Sequence, residues 1–436
     1  MKPIQVGLLG LGTVGRGTFE VLKRNQHEIT RRAGRGIEIV AIAVRDVKKA
    51  RDAIGSALPI TSNPDDIIRN PDIDIVAELI GGYEPARSLV LEAIARGKHV
   101  VTANKAMLAR HGNEIFAAAQ AKGVMVAFEA AVGGGIPIIK ALREGLTANR
   151  IEWIAGIING TSNFILSEMR ARGLAFDVVL KEAQRLGYAE ADPTFDVEGI
   201  DSAHKLAILS SIAFGVPINV EAAYTEGIAR LAADDIKYAE QLGYRIKLLG
   251  ITKRTAKGIE LRVHPTLVPM QRLIASVEGA MNAVLVKGDA VGTTLYYGPG
   301  AGSEPTASAV IADLVDVTRM HTADPENHVP HLAFQADAMA AVPWLTIDET
   351  VTSYYFRMRV ADQPGVLADI TRILADGQIS IDALFQREPS EGENQTDIIM
   401  LTHDALERDV NAAIRRIEAL PTVLASVIRL RQEELL

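Results

Sequence analysis

The 436-residue sequence has no cysteine. Disulfides, thiolate metal centres and every mechanism built on a catalytic thiol are thereby excluded. No apolar run approaches the ~20 residues that a membrane-spanning helix needs, so no membrane partner is expected. Positive charge is in deficit: 46 Lys and Arg stand against 54 Asp and Glu, a net charge of −8. With a pI near 5.7, that balance argues against a nucleic-acid partner. The first ten residues run into a strand without a charged leader and cleavage site, so a cytoplasmic location is expected by default. What is present is ordinary for a globular chain, 48% apolar and 23% charged residues. The length exceeds what one hydrophobic core serves and points to two or three domains.

Residues 4–9 form a short apolar strand, and Gly10-Leu11-Gly12-Thr13-Val14-Gly15 follows it and opens a helix. GxGxxG in this setting is the fingerprint of a dinucleotide-binding βαβ unit. Its glycines let the backbone approach a pyrophosphate, and the helix start presents N–H groups to it. Gly10, Gly12, Thr13, Val14 and Gly15 are therefore cofactor-binding candidates; the plain alternative is a strand, a turn and a helix. The second strand, 37–44, ends at Arg45-Asp46, with Lys48 and Lys49 behind. An arginine there suits the 2′-phosphate of NADP, an aspartate the free hydroxyl of NAD. Arg45 favours NADP(H), Asp46 keeps NAD(H) open, and a solvated charge cluster is the structural alternative. Further α/β units follow, with strands at 73–80, 99–102 and 124–130 and helices at 85–96 and 106–122. Lys105 sits just past the carboxyl end of a strand, where an open α/β sheet binds its ligand. Gly133-Gly134-Gly135 leaves backbone bare for a phosphate, an ion or another chain segment.

After residue 150 the pattern changes. A strand at 151–158 precedes the turn Asn159-Gly160-Thr161-Ser162-Asn163, and a helix at 176–186 stops at Gly187. Then Glu190, Asp192, Asp196, Glu198, Asp201 and Lys205 crowd into one short run. Asp201 and Lys205, four apart, share a helix face. The turns from 206 to 214 are apolar almost all round, which marks a buried helix. A lysine at the head of such a helix is costly to bury unless it is paired or used. An i,i+4 ion pair would explain it structurally; the surrounding carboxylates favour an active site. Strands at 246–252, 259–263 and 283–287 follow. Gly298-Pro299-Gly300-Ala301-Gly302 then leads into a small-residue helix at 306–318, expected to return to the nucleotide domain with Gly302 near the cofactor. His321, His328 and His331 lie in a linker and are spaced too loosely to suggest a metal site.

From residue 352 the order is strand 354–360, helix 366–375, strands 379–386 and 398–402, helix 406–420 and strand 423–430. That βαββαβ order is the ferredoxin-like split unit. The fold class expected is α/β, and the domains fall as follows. A Rossmann-type parallel-sheet domain occupies 1–130, with 302–320 packing back onto it. An α+β catalytic and dimerisation domain takes 131–301, a linker 321–350, and the ferredoxin-like domain 351–436.

Taken together and in this order, these motifs resemble homoserine dehydrogenase over essentially the whole chain. GYAEADPTFDVEGIDSAHK at 187–205 and YYGPGAG at 296–302 are the specific segments, and DQPGVL at 362–367 resembles the turn of an ACT domain. The resemblance implies reduction of L-aspartate 4-semialdehyde to L-homoserine with NAD(P)H, on the route to threonine, methionine and isoleucine. It implies that Lys205 donates the proton to the carbonyl oxygen, with Lys105 and Asp201 beside the reacting centre. It also implies that Glu190 holds the substrate amino group, that Asp196 lines the same pocket, and that Gly187 and Gly302 touch the cofactor. A monovalent cation, sodium or potassium, would sit on Glu129 and the carbonyls of Val132, Gly134 and Ile136. L-threonine as effector and a homodimer or homotetramer complete the implied partners. An aspartate-semialdehyde dehydrogenase would need a thiol that the chain lacks. Another NADP-dependent reductase of a small carbonyl or imine, or a non-catalytic sensor, are the alternatives.

Overall fold

The computed structural model describes residues 2–386 and 393–436. The chain forms two compact units, each assembled from separate stretches. Residues 1–160, 201–221 and 281–342 make the first; 161–200, 222–280 and 343–436 make the second.

In the first unit six parallel strands line up in the order Ile60–Thr61, Ile37–Ala43, Ile4–Leu9, Ile75–Glu78, His99–Thr102, Val126–Ala127. These segments are rich in Ile, Val and Ala because strands covered on both faces must be apolar on both. Val6, Leu8, Ile42, Ala77 and Val101 are fully buried together with Val310 and Leu314 of the Ser303–Met320 helix. Each such Val, Leu or Ile side chain contributes roughly 1.5–3 kcal/mol. This is the Rossmann-type order, with the crevice at the carboxyl ends of the strands where the winding reverses. The Ser303–Met320 helix lies against Thr13–Arg24, so close that a Cβ on Gly17 would stand 2.5 Å from the Ser303 carbonyl oxygen.

The same unit holds an antiparallel set. Ile151–Ile157 pairs with Met281–Gly288, Ala283 opposite Ile157, and that strand turns back as Gly292–Pro299. The helix Ile200–Phe214 is buried at every position from Asp201 onward.

In the second unit, Tyr244–Arg254 and Ile259–Pro269 form a long antiparallel pair, and Tyr224–Thr225 adds in parallel, giving a mixed sheet. The C-terminal part is a ferredoxin-like βαββαβ unit. Its strands stand in the order Ile428–Gln432, Val351–Ala361, Gln395–Thr402, Ile381–Gln386, with helices Val366–Asp376 and Glu407–Glu418. Tyr354, Phe356, Ile370, Leu374, Met400 and Val410 make its core. The last strand also pairs in parallel with Ile259–Pro269, Thr266 opposite Arg431. Arg431, fully buried, joins Glu407 at 2.9 Å and Glu226 at 2.9 Å, so an ion-pair network fixes that junction.

Several elements depart from the sequence reading. The strand expected at 124–130 is only Val126–Ala127, followed by a 3-10 turn at Glu129–Ala131. The Glu129 N–H goes to the Asp313 carboxylate at 2.8 Å rather than into the ladder, which ends the strand. Val423–Leu430 was the expected last strand; Ile428–Gln432 is the observed one, placed by partners on both sides. The strand expected at 259–263 runs on through Pro265 to Pro269. Proline is tolerated where the ladder asks for no N–H. The hairpin return Gly292–Pro299 had no expectation at all.

Candidate active site

The head of the buried helix Ile200–Phe214 carries a buried charge cluster. The Lys205 ammonium donates to Asp201 Oδ2 at 2.7 Å and to the Ile158 carbonyl at 2.6 Å. Lys105 Nζ stands 3.0 Å from Asp201 Oδ1, and the Asn159 amide donates to Asp201 Oδ2 at 2.9 Å. Asp201 is 3% exposed and Lys205 8%. Burial alone would push the Asp201 carboxyl up. The Lys205 and Lys105 charges, with hydrogen bonds from Lys205 and Asn159, instead hold it well below the usual carboxylate range. The cluster is therefore one carboxylate between two ammonium groups, a net positive site with its carboxylate and one lysine buried. Such a site stabilises negative charge that develops on a substrate oxygen.

Local sequence explains the assembly. Asp201 and Lys205 meet because i and i+4 lie on one helix face. Ile158, just past the Ile151–Ile157 strand, offers its carbonyl where the ladder has ended. Lys105 opens the Lys105–Lys122 helix, which Asn104 caps by accepting the Met107 N–H at 3.1 Å. The Asn104 amide also donates to the Gly82 carbonyl at 2.7 Å. Glu78, fully buried at the end of its strand, accepts the Ile80 and Gly81 N–H groups at 2.8 and 3.1 Å and the Thr102 hydroxyl at 2.7 Å. Thus the loop after one strand and the helix after the next are tied together, and Lys105 is held from both.

Gly10, Leu11, Gly12 and Thr13 of the fingerprint line a cleft of about 960 Å³ together with Arg16, Arg45, Lys49, Ile80 and Gly81. Gly10 has φ +97°, and a Cβ there would lie 2.7 Å from the Leu79 carbonyl oxygen. A Cβ on Gly15 would collide with the Gly10 carbonyl, so this glycine serves helix-to-strand packing. At Gly12 a Cβ would meet nothing within 4 Å. Packing does not require that glycine; it leaves bare backbone beside an uncapped helix start, the arrangement that accepts a pyrophosphate. Thr13 and Val14 form the first turn there. The dinucleotide fits the residues present. Asp46 spends its carboxylate on capping the helix Val47–Ile54, accepting the Lys49 N–H at 2.9 Å. Arg45 is exposed in the cleft.

The candidate cation residues lie on one stretch. Glu129 is 4% exposed and accepts N–H groups from Ile139 at 2.9 Å and Lys140 at 2.7 Å. Burial pushes its carboxyl up to about 7 against those bonds. Among the described residues no hydrogen bond falls on the carbonyls of Val132 and Gly134, whereas Ile136 accepts the Ile138 N–H at 2.8 Å. A buried carboxylate and bare carbonyls on one stretch are oxygen donors of the kind a monovalent cation takes. Among the described residues no group of three or more His, Asp or Glu is arranged to hold a metal ion.

Gly187, Glu190 and Asp196 belong to the second unit. Gly187, with φ +80°, closes the Phe176–Leu186 helix. The Gln184 amide donates to the Glu190 carbonyl at 3.1 Å, leaving the Glu190 residue exposed. Ser162 donates to the Asp196 carbonyl at 3.0 Å. Gly302, in the first unit, precedes the Ser303–Met320 helix. Sequence reasoning did not single out Glu78 or Asn159 as partners, although a carboxylate inside the apolar run 73–80 was a visible signal for Glu78. Among the described residues no helix is long and apolar enough to cross a membrane.

Three family models match in succession: the homoserine dehydrogenase NAD-binding domain at 10–129, homoserine dehydrogenase at 137–315 and the ACT domain at 354–422. A homoserine dehydrogenase of Pseudomonas aeruginosa is 61% identical over 435 residues, covering all of both chains. The crystal structure of a homoserine dehydrogenase from Thiobacillus denitrificans superposes with a TM-score of 0.96 at 71% identity, over 100% of this chain and 99% of that one. A hyperthermophilic archaeal homoserine dehydrogenase in complex with NADPH matches 73% of this chain and 98% of its own, at 25% identity and a TM-score of 0.62. With the Rossmann cleft, the buried lysine–aspartate pair and the ACT fold in one chain, these matches place it in the homoserine dehydrogenase family, as an NAD(P)-dependent oxidoreductase.

Proposed function

We propose that Lys205 is the proton donor to the carbonyl oxygen of L-aspartate 4-semialdehyde, with NADPH favoured over NADH. The observation that carries this is the net positive cluster of Lys205, Asp201 and Lys105 at the head of a buried helix. When bound, the nicotinamide supplies the hydride. As charge grows on the aldehyde oxygen, the Lys205 ammonium transfers a proton from Nζ to it. Asp201 holds that ammonium in place and keeps its protonated form favoured. Lys105 adds a second positive charge on the other carboxylate oxygen. By family resemblance, Glu190 takes the substrate ammonium and Asp196 lines the same pocket. Gly187 and Gly302 likewise join the fingerprint glycines as cofactor contacts.

The cofactor preference rests on Asp46 being committed to a helix cap while Arg45, Arg16 and Lys49 line the cleft. Replacing Arg45 by alanine is expected to raise KM for NADP about tenfold, the equivalent of about 1.4 kcal/mol, and to leave KM for NAD nearly unchanged. Equal losses for both cofactors would refute a 2′-phosphate contact.

Sodium or potassium would be held by Glu129 with the carbonyls of Val132, Gly134 and Ile136, bracing the loop they share. L-threonine is proposed as the effector of the ACT domain, at the turn 362–367 where Gly365, φ +98°, starts a helix. Differential binding to two states of the enzyme is what inhibition would require. One assay tests the set: L-homoserine oxidation with NADP or NAD, before and after dialysis that removes sodium and potassium, with and without L-threonine. Activity should fall on dialysis, return with sodium or potassium, and fall again with L-threonine. Indifference to threonine at every substrate concentration would remove the regulatory proposal alone. By the same resemblance, the enzyme works as a homodimer or homotetramer on the route to threonine, methionine and isoleucine.

A further inference from the structure

Asn282 is the second residue of the Met281–Gly288 strand and pairs with Gly298. It is 1% exposed, and among the described residues neither its Oδ1 nor its Nδ2 has a hydrogen-bond partner. A buried amide with both ends unmatched by protein groups is unfavourable and requires a reason. The amide packs on Gly300, where any Cβ would overlap it. Gly300 belongs to the 298–302 loop, and that loop is tied at two places. On one side a Cβ on Gly134 would collide with the Gly300 carbonyl, and the Gly135 N–H donates to the Pro299 carbonyl at 3.0 Å. On the other, the Ser303 hydroxyl donates to the Thr13 carbonyl, within the glycine fingerprint, at 2.9 Å.

We infer that Asn282 is a positioning residue for the dinucleotide site: its amide captures the backbone of the 298–302 loop in the conformation the loop takes on bound cofactor. The inference rests on the dinucleotide reading given above. Gly298, Gly300 and Gly302 give this backbone the freedom to turn. A rotation that brings a loop N–H onto Oδ1 and a loop carbonyl onto Nδ2 makes two buried hydrogen bonds. It must break loop contacts to do so. A dinucleotide seated on the fingerprint and near Gly302 supplies the compensating contacts. Cofactor and Asn282 then favour the same loop conformation, and the two are energetically coupled.

Asn282→Ala and Asn282→Leu, with NADPH binding followed by its fluorescence, test this. The expected result is a Kd for NADPH weaker on the order of tenfold, with KM for NADPH rising by more than kcat falls. Thermal stability without cofactor should be equal or higher, because an unmatched polar group has gone. In the wild type, saturating NADPH should slow amide hydrogen exchange at 299–303; in the variants it should not. An unchanged Kd in folded variants overturns the inference. So does wild-type exchange at 299–303 that ignores NADPH, which decides the matter even if both variants fail to fold. Failure of NADPH to bind the wild type would instead refute the dinucleotide reading itself.

Discussion

Lys205→Met should lower kcat for aldehyde reduction on the order of 10³-fold, the middle of the range for a positioned general acid. Methionine keeps the length of the side chain and removes the ammonium, so cofactor binding should hardly change. The variant is expected to fold, because Asp201 keeps Lys105 at 3.0 Å and Asn159 at 2.9 Å. The reverse reaction gives a second reading. In homoserine oxidation Lys205 must accept the proton and so must start neutral. A free lysine titrates near ~10.4, so the wild-type oxidation rate should rise with pH through the alkaline range. In Lys205→Met what rate remains should lose that rise. Near-normal turnover in the variant, or a wild-type oxidation rate flat in pH, would reassign the proton donor.

Asp201→Asn attacks the same cluster from the other side, and its effects differ in kind. It removes the negative charge between Lys205 and Lys105, the carboxylate that both ammonium groups share. Breaking a buried pair in this way costs about 3–5 kcal/mol. The loss should be seen as a lower thermal transition at neutral pH. Activity should fall roughly 10²-fold. The alkaline rise in homoserine oxidation should move to lower pH, since an ammonium without its carboxylate gives up its proton more easily. The stability gap has a pH sign of its own. The Asp201 carboxyl is held below its ordinary value, so its contribution is complete above the unfolded value of ~3.9 and is lost as pH falls through the lower folded value. Wild type and variant should therefore converge in stability only below about pH 4. A gap that closes at higher pH would show that another group dominates.

The fingerprint, the buried helix and the βαββαβ order were legible because each rests on short-range pattern. GxGxxG after a six-residue strand needs no partner to be read. The i,i+4 spacing of Asp201 and Lys205 is fixed by helix geometry alone. Elements whose limits depend on distant partners were misjudged. Glu129 leaves its ladder for Asp313, 184 residues away in sequence. The C-terminal strand lies where both Ile259–Pro269 and Val351–Ala361 can pair with it.

The Arg45-Asp46 ambiguity shows the same division within two residues. Their order in the sequence offers both cofactors. Only the fold assigns Asp46 to the helix cap and leaves Arg45 in the cleft. By itself, then, the sequence determined the α/β class, the cofactor fingerprint and the identity of the charged pair, since local periodicity and spacing suffice for these. The tertiary structure decided that Lys105 and Asn159 converge on Asp201, and that Asn282 lies unmatched beneath Gly300. Residues brought together across 42 to 96 positions of chain meet only when strands and helices have packed, and no local pattern records that meeting.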